Sequence, residues 1–565
     1  MPFRAPAPRE LSVYHERTRT RGVNPFVYWP VRLVLQPLML IYFRVARIGR
    51  DHVPRKGGVI LAPNHRSFLD PFVLGICIRR PAYFMAKQEL FTRRWQAWVL
   101  NSLGAYPVRR GEADEEAMET SRQLVERGEM VLVFPEGTRI RRGSLGKPKR
   151  GVGRLALETG APVVPIAVTG SENARRGWKI RPAKVKIRLG RPLTFPRMEN
   201  PSPRLAAEVT ARIWPCVELQ WEWLGGLPPL RKAAIVGAGS MGTALATLLA
   251  RAGIEVQLGC RTQPAAERIQ QNRENERLPG VELPDEVKVS TVAQIEFGGV
   301  DLVCFAVPSR DLPAAVAQVG ARIGQRSAVL VLSKGLVPPL GVTPTRYVGE
   351  RIHARAVGAL GGPAHAAEAV SQGASVVLAS SDADFRAQFS KILRDAGLDV
   401  ETTDDVTGAE LAACAKNAAA LAAAAAATSG MNAAGAAASR VFAETHRLAL
   451  VAGGRTETFV GLAGTGDLVG TVLAEHSRNR RAGELLGRGV PADQIAAMME
   501  ETPESLDAVP LLARAFDEAG LEAPAMHELS ALIEGRVGPE EWVASVRARK
   551  AGGRWRERAT AGSRG

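Results

Sequence analysis

The chain has 565 residues, too many for one hydrophobic core, and a prior of roughly 100 to 200 residues per domain leads to about three or four units. Apolar residues make up 46% of it and charged residues 23%, globular proportions that exclude a disordered chain and a polytopic membrane protein. The formal charge of +17 attracts polyanions; with no helix-turn-helix, zinc-finger or RNA-recognition signature, it points to anionic lipid or a phosphorylated substrate and not to nucleic acid.

Residues 1–24 are polar, basic and proline-containing, a composition that predicts disorder. From Phe26 to Phe43 runs the one long apolar stretch. It holds Pro30, Arg32, Gln36 and Pro37 and is followed by Arg44, Arg47 and Arg50, so it reads as an interfacial helix on an anionic membrane surface, neither a bilayer span nor a cleaved leader. It opens a domain over 25–225 in which Gly58 to Ala62, Met130 to Phe134 and Val163 to Val168 read as buried strands alternating with helices, an α/β order. A helix follows Arg204 to about Trp223, and the glycines and prolines of 224–230 mark the boundary. A second α/β region, 231–405, begins with strand, glycine-rich turn and helix and continues through strands at Val256 to Cys260, Asp301 to Val307 and Ala328 to Leu332. Residues 406–548 carry no strand pattern, and the alanine run Ala418 to Ala427 predicts a buried helix that neighbours can approach closely. Residues 549–565 form a tail expected to be disordered. The five cysteines, Cys77, Cys216, Cys260, Cys304 and Cys414, are scattered with no Cys-x-x-Cys pair, which argues for a reducing cytoplasm and against a disulfide framework or metal site.

Directly after the first apolar strand comes Asn64-His65-Arg66-Ser67-Phe68-Leu69-Asp70. If the residues between His65 and Asp70 begin a helix, Asp70 holds the imidazole in one tautomer and the other nitrogen takes a proton from a substrate hydroxyl. Further on stand Gly104-Ala105-Tyr106-Pro107-Val108-Arg109-Arg110-Gly111 and Phe134-Pro135-Glu136-Gly137-Thr138-Arg139. Arginine meets phosphate with a planar fork and glycine admits close backbone approach, so a phosphorylated acceptor is expected. Together with Val164-Pro165-Ile166, these ordered blocks resemble the glycerolipid acyltransferase family, especially 1-acylglycerol-3-phosphate acyltransferases, over about Phe26 to Pro196. The resemblance implies that His65 is the base for attack on the thioester of acyl-CoA or acyl carrier protein, and that Asp70 orients it. It also implies that Arg110, Glu136, Gly137, Thr138 and Arg139 form the acceptor site. Asn64 and Thr138 lean toward lysophosphatidate as acceptor, giving phosphatidate, with glycerol 3-phosphate left open.

Ile235-Val236-Gly237-Ala238-Gly239-Ser240-Met241-Gly242 places Gly-x-Gly-x-x-Gly between a strand and a helix, the arrangement that seats a dinucleotide pyrophosphate on a helix N-terminus. Gly237, Gly239, Ser240, Met241 and Gly242 are therefore candidate cofactor contacts. Arg261 stands where a carboxylate would bind the ribose of NAD, so NADPH is expected to serve at least as well as NADH. Ser333-Lys334-Gly335-Leu336, Gly362-Pro363-Ala364-His365-Ala366-Ala367-Glu368, Ala415-Lys416-Asn417, Gly461 to Leu468 and Ser477-Arg478-Asn479-Arg480-Arg481 follow. These look like the NAD(P)-dependent glycerol-3-phosphate dehydrogenases over Lys232 to about Ala548.

That second resemblance implies a Rossmann domain followed by an all-α domain, and reduction of dihydroxyacetone phosphate to sn-glycerol 3-phosphate. It makes Lys416 the catalytic lysine, with Asp467 positioning lysine and substrate and Lys334 between cofactor and substrate. Gly362 and Ala364 would lie on the substrate, Ala366 and Glu504 on the cofactor, and Ser477, Arg478 and Asn479 at substrate phosphate and cofactor. The chain departs from the family pattern at Ala364, Val472, Ala434-Gly435 and around Glu504. The sequence thus predicts a bifunctional enzyme of glycerophospholipid synthesis, cytoplasmic, peripheral to the inner face of the cell membrane, with homo-oligomerisation open. The departures leave one alternative, an active acyltransferase whose second half is a nucleotide-binding regulatory module.

Overall fold

The computed structural model describes residues 8–109, 114–176, 179–474, 477–499 and 503–548, and the chain divides into two compact units, Met1–Pro229 and Leu230–Gly565.

The first unit opens with α1 (Pro8–Arg21), so the disorder expected of residues 1–24 does not hold for 8–21. Composition missed a periodicity: Leu11, His15 and Thr18 fall on one helix face and are buried. His15 Nδ1 lies 2.9 Å from Thr120 Oγ1, and Asn101 Nδ2 donates to Thr18 Oγ1 at 2.7 Å. Burial among arginines pushes the His15 imidazole down to about 4, so it packs as a neutral ring. The apolar stretch is helical as α2 (Pro25–Tyr42), capped by Asn24, whose side chain accepts from Phe26 N.

The sheet strands and their helices then alternate: β1 (Ala46–Ile48), β2 (Val59–Pro63), α3 (Asp70–Cys77), β3 (Ala82–Lys87), α4 (Arg94–Ser102), β4 (Ala105–Val108), α5 (Glu115–Glu126), β5 (Met130–Leu132), α6 (Gly151–Thr159) and β6 (Val163–Thr169). A short hairpin, β7 (Arg175–Arg176) with β8 (Lys179–Ile180), precedes β9 (Lys186–Leu189) and α7 (Pro203–Trp223). The sheet runs β1-β9-β6-β2-β5-β3-β4, parallel except where β6 meets β9. β2 lies at its centre and is buried at every residue, which is why its sequence is an unbroken apolar run with no alternation. Its C-terminal end delivers Asn64 and His65. Asn64 continues the ladder with its side chain, accepting from Val168 N at 2.7 Å and donating to Val168 O at 3.1 Å.

The second unit begins with β10 (Lys232–Val236), α8 (Ser240–Arg251), β11 (Glu255–Cys260), α9 (Gln263–Asn272), the hairpin β12 (Glu274–Asn275) and β13 (Leu278–Glu282), β14 (Val287–Thr291), β15 (Leu302–Phe305), α10 (Leu312–Val319) and β16 (Ala328–Val331). It continues through α11 (Pro344–Gly349), β17 (Ala356–Gly361), α12 (Ala366–Ser371), β18 (Ser375–Ser380), α13 (Ala383–Asp395) and β19 (Asp399–Thr403). The order β14-β11-β10-β15-β16-β17-β18-β19, parallel except at β17–β18, puts the first strand inside the sheet with chain leading away on both sides. That is the doubly wound arrangement, whose ligand crevice lies at the C-terminal ends of the strands where the order reverses, here β10 and β15.

Asp405 caps α14 (Val406–Ala427), the buried axis of the helical domain. Around it lie α15 (Met431–Val451), α16 (Thr456–Val460), a π-helical turn at Leu462–Gly466, α17 (Asp467–Leu473), α18 (Arg478–Gly487), α19 (Ala492–Met498), α20 (Glu504–Glu518), α21 (Pro524–Ile533) and α22 (Pro539–Ala548). The alanine run does what small side chains allow. α18 crosses α14 so closely that a methyl group on Gly483 would sit 2.3 Å from Leu421 O, and one on Gly487 2.4 Å from Ala425 O. Residues 549–565 lie outside the described residues. Among the described residues no helix is long and apolar enough to cross a membrane, and no His, Cys, Asp and Glu group could hold a metal ion.

Candidate active sites in the two units

In the first unit the turn from β2 into α3 brings His65 and Asp70 together. Asp70 Oδ2 takes His65 Nδ1 at 2.9 Å, the Arg66 N–H at 2.6 Å and the Ser67 N–H at 2.7 Å. An ionised carboxylate can only accept, so the proton sits on Nδ1 and Nε2 is left basic. One oxygen therefore both folds the turn and fixes the tautomer. Phe134 stacks on the imidazole with ring centroids 4.1 Å apart, which sets its plane.

Glu136 departs from the role expected of it. Its Oε2 accepts the His65 N–H and its Oε1 the Gly146 N–H, both at 2.6 Å, and it is only 3% exposed. Burial pushes this carboxyl up to about 7. It holds backbone with both oxygens. Gly137 makes the turn with φ +65°, and Thr138 and Arg139 stand exposed on the loop beyond it. Ile140 N donates to His65 O at 2.8 Å, so Arg139 sits between two residues tied to the His65 backbone. Arg110 lies outside the described residues. Arg66, passed over in the sequence, braces the same loop: its guanidinium donates to Ile140 O at 2.8 Å and Gly143 O at 2.5 Å and lies 4.1 Å from the Trp221 ring on α7. Its place inside the His-to-Asp block was the available signal.

The glycine-rich turn of the second unit is built for close approach. A methyl group on Gly237, which has φ +113°, would lie 2.5 Å from Ala306 O, and one on Gly242 2.0 Å from Gly237 O. Gly239 by contrast has nothing within 4 Å on that side and stands at the N-terminus of α8. Two glycines are thus required by the protein and the third leaves space, which fits a dinucleotide pyrophosphate on the helix N-terminus. Ser240 is committed elsewhere, its hydroxyl donating to Arg277 O at 2.7 Å, while Met241 packs on the core of the sheet. Asn275, unforeseen, latches the turn by donating to Ala238 O at 3.0 Å and Thr243 Oγ1 at 2.7 Å. Arg261 is exposed just past β11.

The lysines and the aspartate meet as expected. Asp467 Oδ2 accepts from Lys334 Nζ at 2.9 Å and its Oδ1 is 3.2 Å from Lys416 Nζ. Lys416 also donates to Thr471 Oγ1 at 2.9 Å, and Lys334 to Gly362 O at 3.3 Å. Burial, reinforced by the Lys334 charge and opposed by Asp467, pushes the Lys416 ammonium down to about 8. Burial alone would raise the Asp467 carboxyl, but the two ammonium groups overcome it and hold it below its ordinary value.

A closed ring of hydrogen bonds fixes the Lys334 backbone. Glu504, expected at the cofactor, takes the Lys334 N–H at 3.1 Å and the Ser309 N–H at 2.9 Å, so both its oxygens serve backbone. The next residue, Ser505, donates to Asn479 Oδ1 at 2.7 Å; Asn479 donates to Asn417 Oδ1 at 2.8 Å; Asn417 donates to Lys334 O at 3.2 Å. Asn479 is therefore engaged at both ends of its amide. Ser477 caps α18, with Arg478 exposed beside it, and Ala364 and Ala366 pack on the sheet's core. Thr471 was missed although it stands four residues after Asp467, one helical turn on. Ser505 had no local signal.

Residues 44–169 match the family model described as Acyltransferase. Residues 232–386 and 405–544 match those for the N-terminus and C-terminus of NAD-dependent glycerol-3-phosphate dehydrogenase. The glycerol-3-phosphate dehydrogenase [NAD(P)+] of Mycobacterium avium is 33% identical over 308 residues, which is 54% of this chain and 90% of that protein. That of Chlorobium limicola is 36% identical over 313 residues, 54% of this chain and 93% of its own. The crystal structure of glycerol-3-phosphate dehydrogenase from Coxiella burnetii superposes with a TM-score of 0.54 at 29% identity, covering 57% of this chain and all of the other. Through its second unit the chain belongs to the NAD-dependent glycerol-3-phosphate dehydrogenase family, and ahead of that unit it carries an acyltransferase domain.

Proposed function

We propose that the protein is bifunctional: its second unit reduces dihydroxyacetone phosphate to sn-glycerol 3-phosphate with NADPH or NADH, and its first acylates 1-acylglycerol 3-phosphate from acyl-CoA or acyl carrier protein, giving phosphatidate. The observation that carries the reduction is Asp467 clasped by Lys334 and Lys416. The nicotinamide supplies the hydride when bound. Lys416 has three N–H donors. Asp467 and Thr471 engage two, and the third is left to give its proton to the carbonyl oxygen as that becomes an alkoxide. An ammonium brought to about 8 is charged at neutrality yet gives up its proton more readily than a free lysine. Lys334, held by its backbone ring and by Asp467, keeps a second positive charge beside the carbonyl. Arg478 and the start of α18 offer positive charge to the substrate's phosphate, and Arg261 to a 2′-phosphate. Against the alternative of a purely regulatory nucleotide-binding half stands the meeting of Lys334, Asp467 and Lys416, a cluster that contains none of Ala364, Val472, Ala434 and Gly435, although Glu504 touches it through the Lys334 N–H.

In the first unit His65 Nε2 takes the proton of the acceptor hydroxyl while its oxygen bonds to the thioester carbon. The carbon–sulfur bond then breaks, and the proton passes from His65 to the departing thiolate. Arg139, with Arg110, meets the acceptor's phosphate. The exposed face of α2 supports peripheral association with an anionic membrane: Phe26 is 89%, Leu33 77% and Ile41 78% exposed, spaced at helical intervals and followed by arginines. Purified protein should oxidise NADPH or NADH with dihydroxyacetone phosphate and cleave acyl thioester in a lysophosphatidate-dependent way. Lys416→Ala should abolish only the first and His65→Ala only the second. Normal turnover by either variant would overturn the role given to that residue.

A further inference from the structure

Resting on the acyltransferase reading above, we propose that Lys149 is a second cationic contact for the acceptor's phosphate and selects a phosphorylated acceptor over a neutral one. The loop from Glu136 to Lys149 is pinned by its backbone. Glu136 holds its start to the His65 N–H, Ile140 N bonds to His65 O, Arg66 grips Ile140 O and Gly143 O, and Lys149 N returns to Pro135 O at 2.7 Å. The two ends of the loop are thus brought side by side next to the candidate base.

At Gly137 a methyl group would lie 3.1 Å from Lys149 Cδ and 3.2 Å from both Cε and Nζ. The lysine therefore lies across the Gly137 turn, and its ammonium stands over the backbone just before Thr138 and Arg139. No side chain intervenes, because position 137 has none. The one acidic residue between 134 and 150, Glu136, points inward to two backbone N–H groups and leaves this charge unneutralised. Among the described residues no ion pair holds Lys149 Nζ. Arg141, Arg142, Lys147 and Arg150 add charge to the same loop, but Lys149 is the residue laid against the glycine. A phosphate with two negative charges beside Arg139 accepts from both cations, Arg139 by its fork and Lys149 as a point charge.

The test is steady-state acyl transfer by the full-length protein to lysophosphatidate and to a monoacylglycerol of the same chain. Lys149→Met keeps the stem over Gly137 and removes the charge. It should raise KM for lysophosphatidate about tenfold to a hundredfold, as loss of one charge-assisted hydrogen bond implies, with kcat and the monoacylglycerol rate unchanged. Lys149→Arg should restore most of the affinity, and Lys147→Ala should leave it intact. An unmoved KM in Lys149→Met, or equal losses on both acceptors, overturns the proposal while the acyltransferase reading stands. A wild-type protein that transfers nothing to lysophosphatidate overturns both.

Discussion

Asp467→Asn keeps the shape of the side chain and removes the one charge placed between two ammonium groups, 2.9 Å from Lys334 Nζ and 3.2 Å from Lys416 Nζ. An opposite charge at such range holds a partner's pKa by about one to three units. With it gone, burial and the Lys334 charge act on Lys416 unopposed by Asp467, and its present value of about 8 falls further. Reduction needs the ammonium form, so in the wild type kcat/KM for dihydroxyacetone phosphate should hold below about pH 8 and fall tenfold per pH unit above it. In Asp467→Asn that descent should begin about one to three pH units lower. At pH 7 the protonated fraction then drops from about nine tenths to between about one half and one hundredth, a loss of roughly twofold to a hundredfold that acid recovers. Oxidation of glycerol 3-phosphate needs the neutral amine, so its rising limb should move the same way. The assay is nicotinamide absorbance in both directions from pH 5 to 10. A uniform loss with both limbs in place would refute the argument that Asp467 tunes Lys416.

Three further outcomes are open to measurement. Glu410 is fully enclosed on α14, accepting the Thr345 N–H at 2.8 Å and its hydroxyl at 2.5 Å, and burial pushes it up to about 7. Because the unfolded carboxyl loses its proton first, stability falls as pH rises from about 4.5 to 7, by at most about 3 kcal/mol. Glu410→Gln, which avoids that charge, should raise the second unit's melting transition at pH 8 and not at pH 4.5, by scanning calorimetry; an equal effect at both would refute the cause. Gly239→Ala should leave the fold intact, since its methyl group meets nothing within 4 Å, yet weaken NADPH binding by fluorescence titration; unchanged affinity would remove the cofactor from that turn. Ser505→Ala strips Asn479 Oδ1 of its donor and should cost about 1 to 3 kcal/mol of stability, with kcat for reduction falling more than KM rises; an unchanged kcat would detach the ring from Lys334.

What the sequence disclosed depended on how local its cause was. β2, β5 and β6 are buried on both faces, and that demands continuous apolar runs visible in one dimension. β4 was hidden because it is four residues long and holds Pro107, and β19 because Asp399, Glu401 and Thr402 face solvent. Residues 8–21 looked disordered because their average is polar, while helix period alone reveals the buried face of Leu11, His15 and Thr18. His65 with Asp70, and Lys416 with Asp467, were legible because their spacing or their surrounding blocks carry the chemistry. The ring through Asn417, Asn479 and Ser505 was not, since its members come from three helices and no short-range pattern records that they meet.

The same contrast bears on the two glutamates expected at ligands. Glu136 stands in a block of expected phosphate contacts, and Glu504 is set against the cofactor by resemblance alone. Electrostatics argues otherwise: a carboxylate facing a phosphate repels it, and a buried one needs donors of its own. The structure turns each acid onto two backbone N–H groups, His65 and Gly146 in one unit, Ser309 and Lys334 in the other. Each acid so fixes the backbone of a candidate site residue, His65 or Lys334, and in the Glu136 loop the residues left exposed beyond it include Arg139, Arg141 and Arg142. In that loop, therefore, sign and direction go together: the bases stand outward, and the acid holds the chain that carries them.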